Sequence, residues 1–141
     1  MSDQIKLKLY YFTAVLSLVF AVIGFSYNAW RMEVSESNTN VRTASFEVLK
    51  ELAELERIVF ASHYDKDSIK GSPRDGWVKV GLITDLSVLI GTRVEAQASL
   101  LKETWSTTWE TLPSNAKSTI NLVQQIDLVR LEIKRELSSL K

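Results

Sequence analysis

Between Leu9 and Trp30 the chain reads LYYFTAVLSLVFAVIGFSYNAW, without an Asp, Glu, Lys, Arg or His. A helix rises about 1.5 Å per residue, so roughly 20 apolar residues cover the ~30 Å hydrocarbon core of a bilayer. The run predicts a transmembrane helix over 9–30, with a short tail over 1–8 and a separate domain over 31–141. A cleaved signal peptide is the competing reading, because Lys6 and Lys8 make the tail mildly basic. Such peptides carry an apolar stretch of about 7–15 residues that ends in small residues. This stretch is longer, opens on Tyr10, Tyr11 and Phe12, and closes on Tyr27, Asn28 and Trp30; Gly24 and Ser26 make a poor cleavage site. Aromatic rings at both ends suit the headgroup layers that flank a permanent span. The expectation is a retained signal-anchor, with the bilayer as partner of residues 9–30 and Tyr10, Tyr11, Tyr27 and Trp30 at its interfaces.

Lys6 and Lys8 precede the span, whereas Arg31 is followed by Glu33 and Glu36 before the next base at Arg42. By the positive-inside bias the tail is cytoplasmic and the domain faces outward. In a cell with two membranes that places the anchor in the bacterial inner membrane and the domain in the periplasm. There is no cysteine, which removes disulfides, thiol nucleophiles and thiolate metal sites. Seventeen bases balance 17 acids without a basic block, so nucleic acid is not an expected partner. No Asn-x-Ser/Thr sequon occurs, in keeping with a bacterial origin.

The roughly 110 residues after the span suit one compact domain. Glycine and proline are scarce there and the apolar spacing is helical throughout. Ser35–Asn40 is polar on every face but holds no helix breaker, so the first helix is expected to run on through it and end near Tyr64. Val41, Val48, Leu52, Leu55 and Val59 form its stripe, broadened by Phe46, Leu49, Ala53 and Phe60, with Glu47, Lys50, Glu51, Glu54 and Arg57 on the wet side and Lys50–Glu54 in i,i+4 register. A loop over Asp65–Gly71 leads to Ser72-Pro73-Arg74-Asp75: an N-cap hydroxyl, proline at the first helical position and an acid three residues after the cap. The second helix is read with Trp77, Val80, Thr84, Val88 and Gly91 on one stripe and Leu86, Leu89 and Ile90 beside it, and with a break at Ile90-Gly91-Thr92. A third carries Val94, Ala98, Leu101, Trp105, Trp109 and Leu112 up to Pro113. Ser114 then caps a last helix with Val123, Ile126, Val129, Ile133, Leu137 and Leu140 in heptad-like spacing and bases in its C-terminal half. No strand pattern competes. The fold expectation is all-α, one N-terminal transmembrane helix continuing into an extracytoplasmic antiparallel bundle of about four helices.

Four features bear on function. His63-Tyr64-Asp65-Lys66-Asp67 combines an imidazole with carboxylates, but it fails as a calcium loop: counted from Asp65, position six is Lys70 and position twelve is Gly76. A helix-end cap is the plainer reading of His63. The whole turn from His63 to Trp77 is dense in the residue types that dominate interface hot spots. His63, Tyr64, Asp65, Arg74 and Trp77 are therefore the candidate partner-binding residues, against the alternative of a capped loop with Trp77 packed inward. Trp105 and Trp109 share the core stripe of their helix and read as packing rather than as an aromatic groove. The last helix offers about three heptads, enough for a homodimer seam as the alternative to packing within the chain.

Histidine occurs once, and no GxSxG, HExxH or P-loop spacing is present, so no catalytic residue, metal or cofactor is expected and the chain is not read as an enzyme. The order of membrane-fused helix and outward helical domain looks like the extracytoplasmic half of four-helix-bundle chemoreceptors, a likeness of topology alone. That resemblance implies a ligand-sensing domain signalling through a partner. The order short tail, span, outward helical region also resembles the inner-membrane spanins of phage lysis cassettes, although the Ser72-Pro73 cap and the four tryptophans favour a globular bundle over an extended coil. The leading expectation is a small subunit or assembly factor of an envelope complex, acting by contact with another membrane or periplasmic protein.

Overall fold

The computed structural model describes residues 2–140. Among them the chain is all-helical, without a strand: α1 spans Ser2–His63, α2 Pro73–Ser87, α3 Thr92–Thr108 and α4 Ala116–Ser139. The chain divides into two compact units, Met1–Ser37 and Asn38–Lys141.

In the first unit α1 is long and apolar enough to cross a membrane, and none of its apolar window is buried within the chain. Side chains are exposed around the whole circumference, Leu16, Val19 and Phe20 included. The Thr13 hydroxyl donates to the carbonyls of Leu9 and Tyr10 at 3.0 Å, so this polar group in the apolar run is satisfied inside its own helix. A helix that meets its backbone and hydroxyl needs internally is the form that tolerates lipid.

The second unit is built around one apolar core to which all four helices contribute. Val48, Leu52, Leu55 and Val59 of α1 meet Val80 and Ile83 of α2, Val94, Ala98, Leu101 and Trp105 of α3, and Leu122, Ile126, Val129 and Ile133 of α4. Polar ties join the helices at its margin. Glu51 Oε2 of α1 lies 2.6 Å from Lys79 Nζ of α2. Arg130 of α4 reaches Glu56 of α1 at 2.6 Å and Asp127 at 2.9 Å. The bond from Glu56, followed by that from Asp127, holds the guanidinium even more firmly protonated than an ordinary arginine. Gln97 of α3 donates to Gln125 of α4 at 2.8 Å.

Several sequence expectations need correction. Phe46 and Phe60 do not broaden the α1 stripe, and Phe46 is 63% exposed; Glu51, assigned to the wet side, is buried against Lys79. Lys50 pairs with Glu47 and Glu54 with Arg57, both i,i+3, instead of Lys50 with Glu54. In α2 the buried set is Gly76, Val80, Ile83 and Ser87: Val80 lies on the expected stripe, the other three each fall one residue before Trp77, Thr84 and Val88, and Val88 and Leu89 face outward with Trp77 partly exposed. The reason lies across the interface. A Cβ on Gly76 would fall 2.2 Å from the Trp105 ring, so glycine is what lets α2 lie against the largest side chain in the core. The α3 stripe matches the expectation, with Trp109 half-buried at its end.

Helix ends follow local chemistry. Ser72 Oγ accepts from the Asp75 amide at 3.4 Å, with Pro73 opening α2 as expected. Gly91 stands at the N-cap of α3, where the α2–α3 break was anticipated. Helix α3 stops at Thr108, short of Pro113, because the chain passes into successive turns: the Thr111 amide donates to Thr108 O at 3.0 Å and the Asn115 amide to Thr111 O at 2.8 Å. The cap of α4 is accordingly Asn115 rather than Ser114. Its Oδ1 accepts from Lys117 N at 3.0 Å and Ser118 N at 3.3 Å, while Ser114 belongs to the preceding turn, its amide and hydroxyl both donating to Thr111 O.

Candidate partner-binding surface

The turn between α1 and α2 is fixed at both ends by backbone geometry. Helix α1 ends with the Tyr64 amide on Phe60 O at 2.8 Å and the Asp67 amide on Ala61 O at 3.0 Å. Between them Lys66 takes a left-handed conformation, φ 53°, at a position where glycine is usual. Asp67 Oδ1 then accepts from the amides of Ile69 and Lys70, each at 2.9 Å. These two bonds, first from Lys70 and then from Ile69, favour the charged form and hold the carboxyl below the ordinary aspartate range. Gly71 closes the turn: a Cβ there would sit 2.5 Å from the Ser62 amide nitrogen, so only glycine allows this approach to α1.

The turn is also tied to the α3–α4 connection. His63 Nδ1 lies 2.7 Å from the Leu112 carbonyl; a carbonyl only accepts, so Nδ1 carries the proton. Lys66 Nζ, the ammonium of the left-handed residue, donates to the Pro113 carbonyl. The last residue of α1 and a residue of the turn that follows it thus cap two carbonyls of the α3–α4 connection.

Of the candidate residues, His63 serves this tie and packs edge-on against Tyr64 with ring centroids 4.7 Å apart. Tyr64 also meets Phe60 edge-on at 5.7 Å and stays exposed. Trp77 does not join that cluster. It stands at 89° to Trp105, centroids 6.4 Å apart, and is 38% exposed: one edge touches the core and the other faces outward. Asp65 and Arg74 are exposed and enter no ion pair among the described residues. An open groove runs beside the turn, lined by Ala53, Glu56, Arg57, Phe60, Asp65 and Lys70. No group of three His, Cys, Asp or Glu side chains gathers to hold a metal ion among the described residues. At the other candidate location, Tyr10, Tyr11, Tyr27 and Trp30 are all exposed, with Tyr27 and Trp30 rings 6.1 Å apart.

Two contributors escaped the sequence reading. Ile69 is 84% exposed, an isoleucine held outward by the Asp67 turn; an apolar residue inside a polar loop was the signal for it. Lys66 resembled an ordinary loop base, and nothing local announced its reach to a carbonyl far along the chain. What the surface presents is a turn tied to the α3–α4 connection with Tyr64 and Ile69 displayed. No family model, curated protein or solved structure matches this chain.

Proposed function

We propose that this chain is a single-pass membrane-anchored helical protein that works by protein–protein contact, as a small subunit or assembly factor of an envelope complex. In this reading residues 9–30 are the signal-anchor in a bacterial inner membrane and the tail is cytoplasmic. The remainder is a periplasmic antiparallel bundle with no catalytic role of its own. The observation that carries the contact reading is the double fastening of the 63–72 turn. His63 and Lys66 tie it to the Leu112 and Pro113 carbonyls while Tyr64 and Ile69 stay outside. A rigid display of apolar and aromatic side chains loses little conformational freedom on docking, which favours binding. The bare apolar surface of the first unit supports the anchor.

The reading is tested by capture from native membranes in mild detergent through a tag after Lys141, followed by mass spectrometry. A stoichiometric protein partner, depleted at least several-fold by Ile69→Arg, is the expected result. A clean band with no companion overturns it and turns attention to a small ligand, sought as a gain in thermal stability. A reporter enzyme active only outside the cytoplasm, fused after Lys141, is expected to be active; silence reverses the orientation.

A further inference from the structure

We infer that this chain dimerises within its membrane, α2 of each copy packing antiparallel against α3 of the other. The inference rests on the anchored contact reading above and names a second copy as one partner, on a different face from the 63–72 turn.

The paired face is the outer flank of the α2–α3 hairpin. Lys79 meets Glu51 of α1, and Gln97 bonds Gln125 of α4, which marks the side of each hairpin helix turned to its other neighbour. The helical repeat then puts Arg74, Val78, Gly81 and Asp85 on the opposite flank of α2, and Ser99, Glu103 and Glu110 on the opposite flank of α3. Val78 is 64% exposed there. A Cβ on Gly81 would meet nothing within 4 Å, so no contact inside the chain calls for glycine at a mid-helix position where it is unfavourable. Glycine on a helix face allows a second backbone to approach closely. Ser99 is equally low in relief, its hydroxyl folded back to donate to Glu95 O at 3.0 Å.

Direction and charge select the occupant. Helix α2 returns along α1, since Gly71 lies against Ser62 and Lys79 against Glu51. Two copies rooted in one membrane both send α1 outward, so every helix runs parallel to its own counterpart. Pairing α2 on α2 would then oppose Arg74 to Arg74 and Asp85 to Asp85, and α3 on α3 would oppose Glu103 to Glu103; both repel. Two helices of the second copy run opposite to α2. Of these, α1 has its outer charges paired within itself, Lys50 with Glu47 and Arg57 with Glu54. Helix α3 instead offers Arg93, Glu103 and Glu110, and these, like Arg74 and Asp85, enter no ion pair among the described residues. The contact of Gly76 with the Trp105 ring fixes the height of α2 on α3. Equal steps along both helices from there bring Gly81 level with Ser99 and Leu100, Arg74 within about one turn of Glu103 and Glu110, and Asp85 within about one turn of Arg93. A twofold rotation about the membrane normal preserves those heights. Across the dimer Arg74 therefore meets Glu103 and Glu110 of the second copy, Asp85 meets its Arg93, and the bare backbone at Gly81 faces its Ser99. The symmetry makes each contact twice.

The test uses the full chain in mild detergent, with the oligomeric state read by sedimentation. The wild type is expected to be a dimer. Arg74→Glu alone and Glu103→Arg alone each set like charges across the pair and are expected to weaken it by about tenfold or more. Mixed in equal amounts, the two variants recover association, because each reversed charge then meets its opposite in the other copy. Damage to the folding of one chain cannot be rescued in this way. Because the chain has no cysteine, copies carrying Gly81→Cys co-expressed with copies carrying Ser99→Cys give a mixed disulfide in native membranes, whereas Gly81→Cys with Leu128→Cys does not. Single variants that associate like the wild type, a mixture no better than its components, or no mixed disulfide overturn the pairing of α2 with α3. A monomeric wild type that still captures a different protein overturns the inference and leaves the contact reading standing. A monomer that captures nothing overturns both.

Discussion

Leu16 and Leu52 lie on the same helix and have opposite surroundings: Leu16 is 42% exposed and Leu52 is fully buried. The two regions they represent are written differently. From Leu9 to Trp30 the helix is uncharged on every face, whereas past Asn40 it carries Glu47, Lys50, Glu54 and Arg57 on one side and its aliphatic stripe on the other. A one-sided stripe is answered by other helices, and in the second unit α2, α3 and α4 supply them. An all-round apolar surface has no such answer among the described residues, and under the proposed anchor the bilayer supplies it. The comparison teaches that one stretch of α1 is to be read against its own chain and the other against its surroundings.

The sharpest way to break the comparison is to charge the uncovered region. The double change Leu16→Arg/Phe20→Arg puts two cations near the middle of the run, each costing about 2.5–3.5 kcal/mol at the centre of a span. Carbonate-resistant membrane association should be lost, and a variant that remains embedded refutes the anchor. Charging one region should not unfold the other. Truncating the covered region does: Leu55→Ala should cost about 2–5 kcal/mol in chemical unfolding followed in detergent, while Leu16→Ala leaves that transition in place. Equal responses would erase the distinction between the regions.

A smaller effect comes from overfilling. Gly76→Ala pushes a Cβ into the Trp105 ring and should lower stability by about 1–3 kcal/mol, whereas Gly81→Ala, whose Cβ meets nothing within 4 Å, should be neutral or stabilising. The smallest effect is a pH dependence at the turn. The Asp67 carboxyl is held below its ordinary range in the folded chain, so its contribution is present above about pH 4 and is lost as pH falls through the folded value. Asp67→Ala should therefore be slightly less stable than wild type at neutral pH and converge with it in acid. A gap that does not narrow on acidification contradicts the lowered carboxyl and the bonds from Lys70 and Ile69 assigned to it.

What the sequence made legible were features decided within a few residues. The Ser72-Pro73 cap, the break before Thr92, the end of α1 and the α3 stripe all depend on local hydrogen bonding and spacing. The errors lie where a distant residue decides. Of the expected α2 stripe only Val80 is fully buried, because apolar side chains surround that helix and the positions it buries include Gly76 and Ser87, which no hydropathy pattern marks as core. Glu51 looked wet because its partner, Lys79, belongs to another helix. Of the candidate surface, the residue types at 63–77 were visible in advance. Its rigidity was not, since His63 and Lys66 act on carbonyls of the α3–α4 connection.

The perpendicular indole pair of Trp77 and Trp105 has a spectroscopic consequence. Their coupled transitions give a near-ultraviolet circular dichroism signal that vanishes when packing of α2 on α3 is lost, even where helical content survives. Trp105 sits in an apolar interior and emits in the blue, while the half-uncovered Trp77 emits further to the red until something covers its outer edge. With Trp30 and Trp109 replaced by phenylalanine, the remaining pair becomes a two-colour gauge, one ring reporting whether the core is assembled and the other whether the flank of α2 is covered.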